Sequence, residues 1–308
     1  MSDGTKIEWT DATWNIITGC SVVSAGCRHC YAMKLAGTRL QNHPSRSGLT
    51  QDTSAGPVWN GQVRFNEQWL TQPLEWKRPR KVFVCAHGDL FHEAVADAWI
   101  DSVFSVMIRS PQHVFQVLTK RPARMLKFCT DRGYRLPNVW LGVSVEDQAA
   151  ADERIPLLLQ TPAAVRWISA EPLLGRVDLC ETFGMWWNQT MGAFESCRQS
   201  GFNRNPNNQA EAALDWVVVG GESGANARPM NPAWVRSLRD QCAAAGVPFL
   251  FKQWGEWAPN CLCGTREAHA TINRPEPGKP GVMFRCGKKS AGRMLDGIQH
   301  DGYPDTQP

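Results

Sequence analysis

Short apolar runs recur along the chain, each followed by a polar turn and then a longer stretch with helical spacing. The runs are Trp14–Thr18, Val82–Ala86, Val114–Leu118, Val139–Val143, Val165–Ser169, Trp216–Gly220 and Pro248–Lys252. They are rich in β-branched and aromatic residues and show little polar alternation, which suits strands buried on both faces of a parallel sheet. Between them, Asp97–Arg109 places Trp99, Ile100, Val103, Phe104, Met107 and Ile108 at three- and four-residue spacing, and predicts a helix. Asp147–Leu159 follows an acidic first turn. A third helix is predicted from Asn231 and Pro232, a capping residue followed by proline, to Ala245 before Gly246.

Alternating strand and helix implies right-handed βαβ crossovers. Seven candidate strands favour an α/β fold of the partial or complete (β/α) TIM-type barrel over a doubly wound sheet. No GxGxxG follows any strand, which removes the usual mark of a dinucleotide domain. The barrel domain is expected over residues 1–257. Residues 41–62 read as a polar loop, and residues 181–213, rich in Asn, Gln and Gly, as an insertion. Residues 258–308, with many Pro and Gly, read as a C-terminal extension of little regular structure that packs on the barrel.

Composition narrows the class. With 308 residues, 43% hydrophobic and 20% charged, the chain buries a core and is not wholly disordered. No apolar stretch is long enough for a membrane span, and Met1–Lys6 leads into no apolar signal core, so a cytoplasmic protein is expected. A net charge of +4 is compatible with a polyanionic partner without specifying one. Eleven cysteines are many for such a chain, and without an oxidising compartment metal or cluster ligation is the first reading for some of them.

The most informative constellation is Cys20, then six residues, then Cys27-Arg28-His29-Cys30-Tyr31, directly after the first strand. Three thiolates from one loop leave one position of an iron–sulfur cluster open for a substrate or cofactor. A zinc site would recruit a fourth protein ligand, such as His29 or His92. Three unrelated buried cysteines are the bland alternative.

This loop resembles that of radical S-adenosylmethionine (SAM) enzymes, which bind a [4Fe–4S] cluster through three cysteines after the first strand of a partial barrel. The usual spacing of three and then two residues is replaced here by six and then two. Over nearly its whole length the chain also resembles an uncharacterised phage- and prophage-associated family with a three-cysteine motif. The matching stretches include Thr18-Gly19-Cys20, Gly26-Cys27, Cys30-Tyr31-Ala32, Gly88–His92, Gln116–Pro122, Trp140–Glu146, Ser169–Leu173, Gly220–Gly224, Lys252–Gly255 and Gly287-Lys288-Lys289. The resemblance implies metal ligation by Cys20, Cys27 and Cys30, SAM as cosubstrate, an electron donor such as flavodoxin or ferredoxin, and a 5′-deoxyadenosyl radical. The phage association and mild basicity suggest a nucleic acid or nucleotide substrate.

Polar residues follow almost every strand, where a barrel of this kind keeps its active face. Asp89 takes the position expected for contact with the SAM ammonium, and Ser144 and Glu146 lie where such enzymes hold the SAM ribose. Gly220-Gly221-Glu222 resembles the Gly-Gly-Glu that meets the SAM amino group, although it follows the sixth strand and not the second. Glu222 is therefore a cofactor-binding candidate of different placement. Lys120 and Arg121 are candidates to meet the SAM carboxylate or an anionic substrate, and Glu171, Lys120 and Lys252 are the catalytic candidates. Cys261, Cys263 and Cys286, with Cys197 or Cys180, are weighed as an auxiliary metal site, with free thiols as the default. A zinc-binding barrel protein and a non-enzymatic nucleic-acid-binding accessory protein are the rival functions.

Overall fold

The computed structural model describes residues 4–188, 193–196, 213–259, 269–272 and 281–305. Its main sheet has seven strands: β1 (Ala12–Trp14), β2 (Lys81–Val84), β3 (Val114–Thr119), β4 (Val139–Ser144), β5 (Val165–Ala170), β6 (Trp216–Gly220) and β7 (Phe249–Gln253). They are hydrogen-bonded in chain order. The registers, from Ala12 opposite Val82 to Val217 opposite Phe249, are parallel. An order that never doubles back belongs to a singly wound (β/α) sheet, not a doubly wound one. With β1 and β7 left as edges, the barrel is partial.

The chain divides into two compact units, one of residues 1–144, 161–165 and 306–308, the other of residues 145–160 and 166–305. In the first, β4 is buried at all six positions, as its unbroken apolar run requires. Helix α1 (Tyr31–Ala36) packs Ala32, Met33 and Ala36 against Leu49 and Trp59. Helix α2 (Asp97–Ile108) buries Ile100, Val103, Phe104 and Met107 on one stripe. Each such side chain contributes roughly 1.5–3 kcal/mol. Helix α3 (Pro122–Arg132) starts on a proline and ends at Gly133, left-handed at φ +62°. The predicted polar loop 41–62 holds a hairpin of Thr50–Thr53 and Gly56–Trp59. Its anchors are the buried Leu49 and Trp59, two apolar positions that a composition of polar residues hides.

In the second unit, helix α4 (Gln148–Gln160) is capped by Asp147, whose Oδ1 accepts from Ala150 N at 3.0 Å. Helix α5 (Pro232–Ala245) is capped by Asn231 and closed by Gly246. The described part of the insertion is a helical turn, Cys180–Phe183, and a strand pair, Met185–Asn188 with Ala193–Ser196. The C-terminal extension carries more regular structure than its Pro and Gly content implied. Trp257–Ala258, His269–Ile272 and Gly281–Arg285 form an antiparallel sheet. Further on, His300 O accepts from Phe251 N at 3.0 Å, Gly302 N donates to Phe249 O at 3.0 Å, and Asp301 bridges Leu250. The tail thus pairs with the open edge of β7, where unpaired backbone groups attract a strand. No helix among the described residues is long and apolar enough to cross a membrane.

Candidate functional site

The cysteine loop is set by two glycines. After β1 the chain pairs Ile17–Thr18 antiparallel with Arg64–Phe65, then turns at Gly19, left-handed at φ +92°. Gly19 N donates to His87 O at 3.2 Å, next to Gly88. A Cβ on Gly19 would stand 2.2 Å from Gln62 O, and one on Gly88 would stand 2.8 Å from Ile17 O. Only hydrogen fits at either crossing, so Cys20 leaves the end of the sheet on a fixed path. Cys27 closes a single 3-10 turn, Ala25–Cys27, and Cys30 immediately precedes α1.

Burial governs the thiols of this loop. Burial, with the charge of Asp89 behind it, pushes the Cys20 thiol up to about 12, against the pull of Arg121. Burial also raises Cys30, although the Met33 and Ala32 amides and the charge of Lys120 favour its thiolate. Cys27 interacts electrostatically with both of the others.

Arg121 ties the end of β3 to this loop. Its Nη1 donates to Asp89 Oδ2 at 3.0 Å and to Cys20 Sγ at 3.6 Å; Nη2 donates to Ser21 Oγ at 2.7 Å; Nε donates to both Glu93 oxygens at 2.9 and 2.8 Å. Burial alone would lower its proton affinity, but the Asp89, Cys20 and Glu93 charges raise it. Asp89 is equally committed. Its Oδ1 accepts from Phe91 N and Thr119 Oγ1 at 2.9 and 2.7 Å, and its Oδ2 from Lys120 N and Arg121. Four protein donors occupy the carboxylate expected to meet an ammonium. His92 accepts from Ala94 N at Nδ1, so its Nε2 carries the proton and faces Ser21 Oγ at 3.0 Å.

In the second unit the strand-end residues also meet protein partners. Glu171 Oε1 accepts from Lys252 Nζ at 2.6 Å, in a partly buried pair beside Gly220, where a Cβ would press on Glu171 at 3.2 Å. Glu222 grips Arg228 through both oxygens and accepts its backbone N–H, closing its own loop. Glu146 is buried against Arg154 Nη1 at 2.7 Å. Gln253 donates to Ser223 Oγ at 3.2 Å, and its buried Oε1 finds no donor among the described residues. Ser144 ends β4 in the first unit and is buried.

A family model described as "Protein of unknown function (DUF5131)" matches residues 4–304. The chain belongs to that family. No curated protein matches it. Among solved structures, a mutant spore photoproduct lyase aligns with a TM-score of 0.41 at 10% identity, covering 92% of this chain and 71% of its own.

In this DUF5131 chain the donor set fits a three-thiolate group by its chemistry. Cys20, Cys27 and Cys30 are free thiols of one loop, and the charges of Arg121 and Lys120 offset part of the burial that raises Cys20 and Cys30. No group of three or more His, Cys, Asp or Glu side chains among the described residues stands ready to hold a metal ion, so a shared metal requires the three sulfurs to draw together. Of the auxiliary-site cysteines, Cys286 is disulfide-bonded, which differs from the expected free thiol, and Cys197, Cys261 and Cys263 lie outside the described residues. Sequence reasoning missed Glu93. Glu93 sits one residue after His92, and only the fold turns it toward Arg121.

Proposed function

We propose that this chain is a radical SAM-like iron–sulfur enzyme of a phage or prophage setting, with Cys20, Cys27 and Cys30 holding a [4Fe–4S] cluster and a nucleic acid or nucleotide as substrate. The observation that carries the reading is the buried Arg121 guanidinium donating to the Cys20 sulfur at 3.6 Å. A cation built against a loop of three thiols offsets part of the burial that opposes the thiolate a cluster requires. The commitment of His92 to Ser21 supports a three-sulfur donor set over a zinc site that recruits that imidazole.

When bound, the cluster with SAM at its open iron supplies a 5′-deoxyadenosyl radical, given an electron from a donor such as flavodoxin or ferredoxin. The chain's own residues orient and shield. Asp89 and Glu93 fix Arg121, and Arg121 fixes Cys20 and Ser21. The catalytic candidates Lys252 and Glu171 hold each other, Nζ donating to Oε1 at 2.6 Å. Glu146 and Glu222, each held by an arginine, set the shape of the loops after β4 and β6. The test is SAM turnover by anaerobically reconstituted protein under dithionite. Release of 5′-deoxyadenosine is expected; iron-loaded protein that leaves SAM intact overturns the enzymatic reading.

A further inference from the structure

Three arginines are buried in the described structure: Arg46, Arg121 and Arg154. Arg121 faces Asp89 at 3.0 Å and Arg154 faces Glu146 at 2.7 Å. Arg46, only 5% exposed, faces no carboxylate among the described residues. Its Nε and Nη2 lie 3.3 and 3.0 Å from His87 Nδ1, and its Nη1 donates to Ser45 O and Ser45 Oγ. A buried cation without a counter-charge is expensive, and every acceptor around this one is neutral.

A second cation deepens the imbalance. Arg64 donates to Pro44 O and, at 2.8 Å, to Ser47 O, and it too has no carboxylate partner among the described residues. It lies close enough that its charge, after burial, helps push Arg46 down to about 10. Two guanidiniums held together by carbonyls form a fork-shaped array of donors lacking an acceptor of matching charge.

His87 positions Arg46. An arginine has no lone pair to offer, so Nδ1 must be the acceptor, and the neutral ring carries its proton on Nε2. That N–H leaves the far side of the ring, away from Arg46. The exposed Tyr31 ring stands edge-on to His87 at 5.8 Å, and its hydroxyl donates to Ala86 O at 2.6 Å.

We propose that Arg46 and Arg64, with Arg46 positioned by His87, form a binding site for a phosphate oxyanion. The planar donor forks match phosphate geometry, and the site lies in the unit that carries the cysteine loop. This goes beyond the function proposed above and rests on it only for the source of the phosphate, a nucleotide or nucleic acid. The anion site needs no cluster.

The experiment is thermal unfolding of the full-length, metal-free protein at constant ionic strength, with inorganic phosphate replacing chloride. At roughly tenfold above its dissociation constant, phosphate should raise the melting temperature of the wild type by about 3 °C. Arg46→Gln should lose this response and melt no lower than the wild type in chloride, because the charge it removes is uncompensated. Arg64→Gln, on a partly exposed residue, should weaken the response and leave melting in chloride unchanged, which keeps the test valid should Arg46→Gln not fold. A nucleoside monophosphate or a short single-stranded oligonucleotide that acts at lower concentration than phosphate identifies the source. Equal effects of phosphate, acetate and chloride on the wild type overturn the proposal. So does an Arg46→Gln protein that keeps its phosphate response but loses iron on reconstitution, since Arg46 would then serve the thiolates. Failure of the wild type to take up iron sinks the cluster and leaves this site standing.

Discussion

Arg121 reaches Asp89 and Cys20 from a single nitrogen: Nη1 lies 3.0 Å from the carboxylate and 3.6 Å from the sulfur. The pairing joins the chain after β2, the end of β3 and the cysteine loop. Asp89 is buried among four donors, while the other carboxylate on Arg121, Glu93, is 68% exposed. Asp89 therefore supplies most of the compensation for the buried guanidinium.

Asp89→Asn keeps the shape and removes the charge. It should destabilise the protein by about 3–5 kcal/mol, the cost of stranding one partner of a buried ion pair. Denaturant unfolding measures this. A loss under about 1 kcal/mol would mean that Glu93 alone suffices for Arg121.

The cysteine loop should respond sharply to its hinge. Gly19→Ala combines a left-handed backbone with a contact of 2.2 Å to Gln62 O, and should cost about 2 kcal/mol or more. Gly61 has a similar φ of +85° but nothing within 4 Å of an added methyl, so Gly61→Ala should cost about 1 kcal/mol from backbone strain alone. Equal losses in the two variants would show that the close approach at Gly19 is relieved by small shifts.

Much of the fold was legible because buried parallel strands announce themselves locally. Six of the seven apolar runs coincide with strands to within two residues at either end. The first does not: β1 is Ala12–Trp14, and the run Trp14–Thr18 crosses a bend into a second pairing. That bend depends on Asn66, whose N–H donates to Ile16 O at 2.8 Å, and on Asn15, whose Oδ1 accepts from His87 N at 3.1 Å. Partners so distant in the chain leave no local signature. The same limit applies to the site. Cys20, Cys27, Cys30, Asp89 and Arg121 were singled out from spacing and resemblance, but the saturation of Asp89 by Phe91, Thr119, Lys120 and Arg121 appears only once β2 and β3 lie side by side. The C-terminal segment was misread as irregular because its pairing with β7 is a property of a sheet edge, not of its own composition.

Acid stability should carry the mark of Asp296. Hydrogen bonds from Arg236, then burial opposing them, then Arg239, leave its carboxyl at about 2 against an ordinary 3.8. A depressed carboxyl stabilises the folded chain above its unfolded value and loses that contribution as pH falls through the folded one. The window is therefore pH 4 to 2. The side chain is 36% exposed, so screening limits the effect to under about 1 kcal/mol. Asp296→Asn should be less stable than the wild type at pH 5 and nearly equal to it at pH 2, by unfolding free energy at both. A gap of the same size at both values would remove the ion pairs as its cause.

The central claim is tested most directly by iron and acid-labile sulfide analysis of anaerobically reconstituted wild type beside Cys27→Ala, with Cys180→Ala as a control outside the loop. The wild type and the control should hold about four irons and four sulfides per chain, and Cys27→Ala should lose most of both. Equal iron in all three proteins, or a wild type that binds zinc and no sulfide, would contradict it.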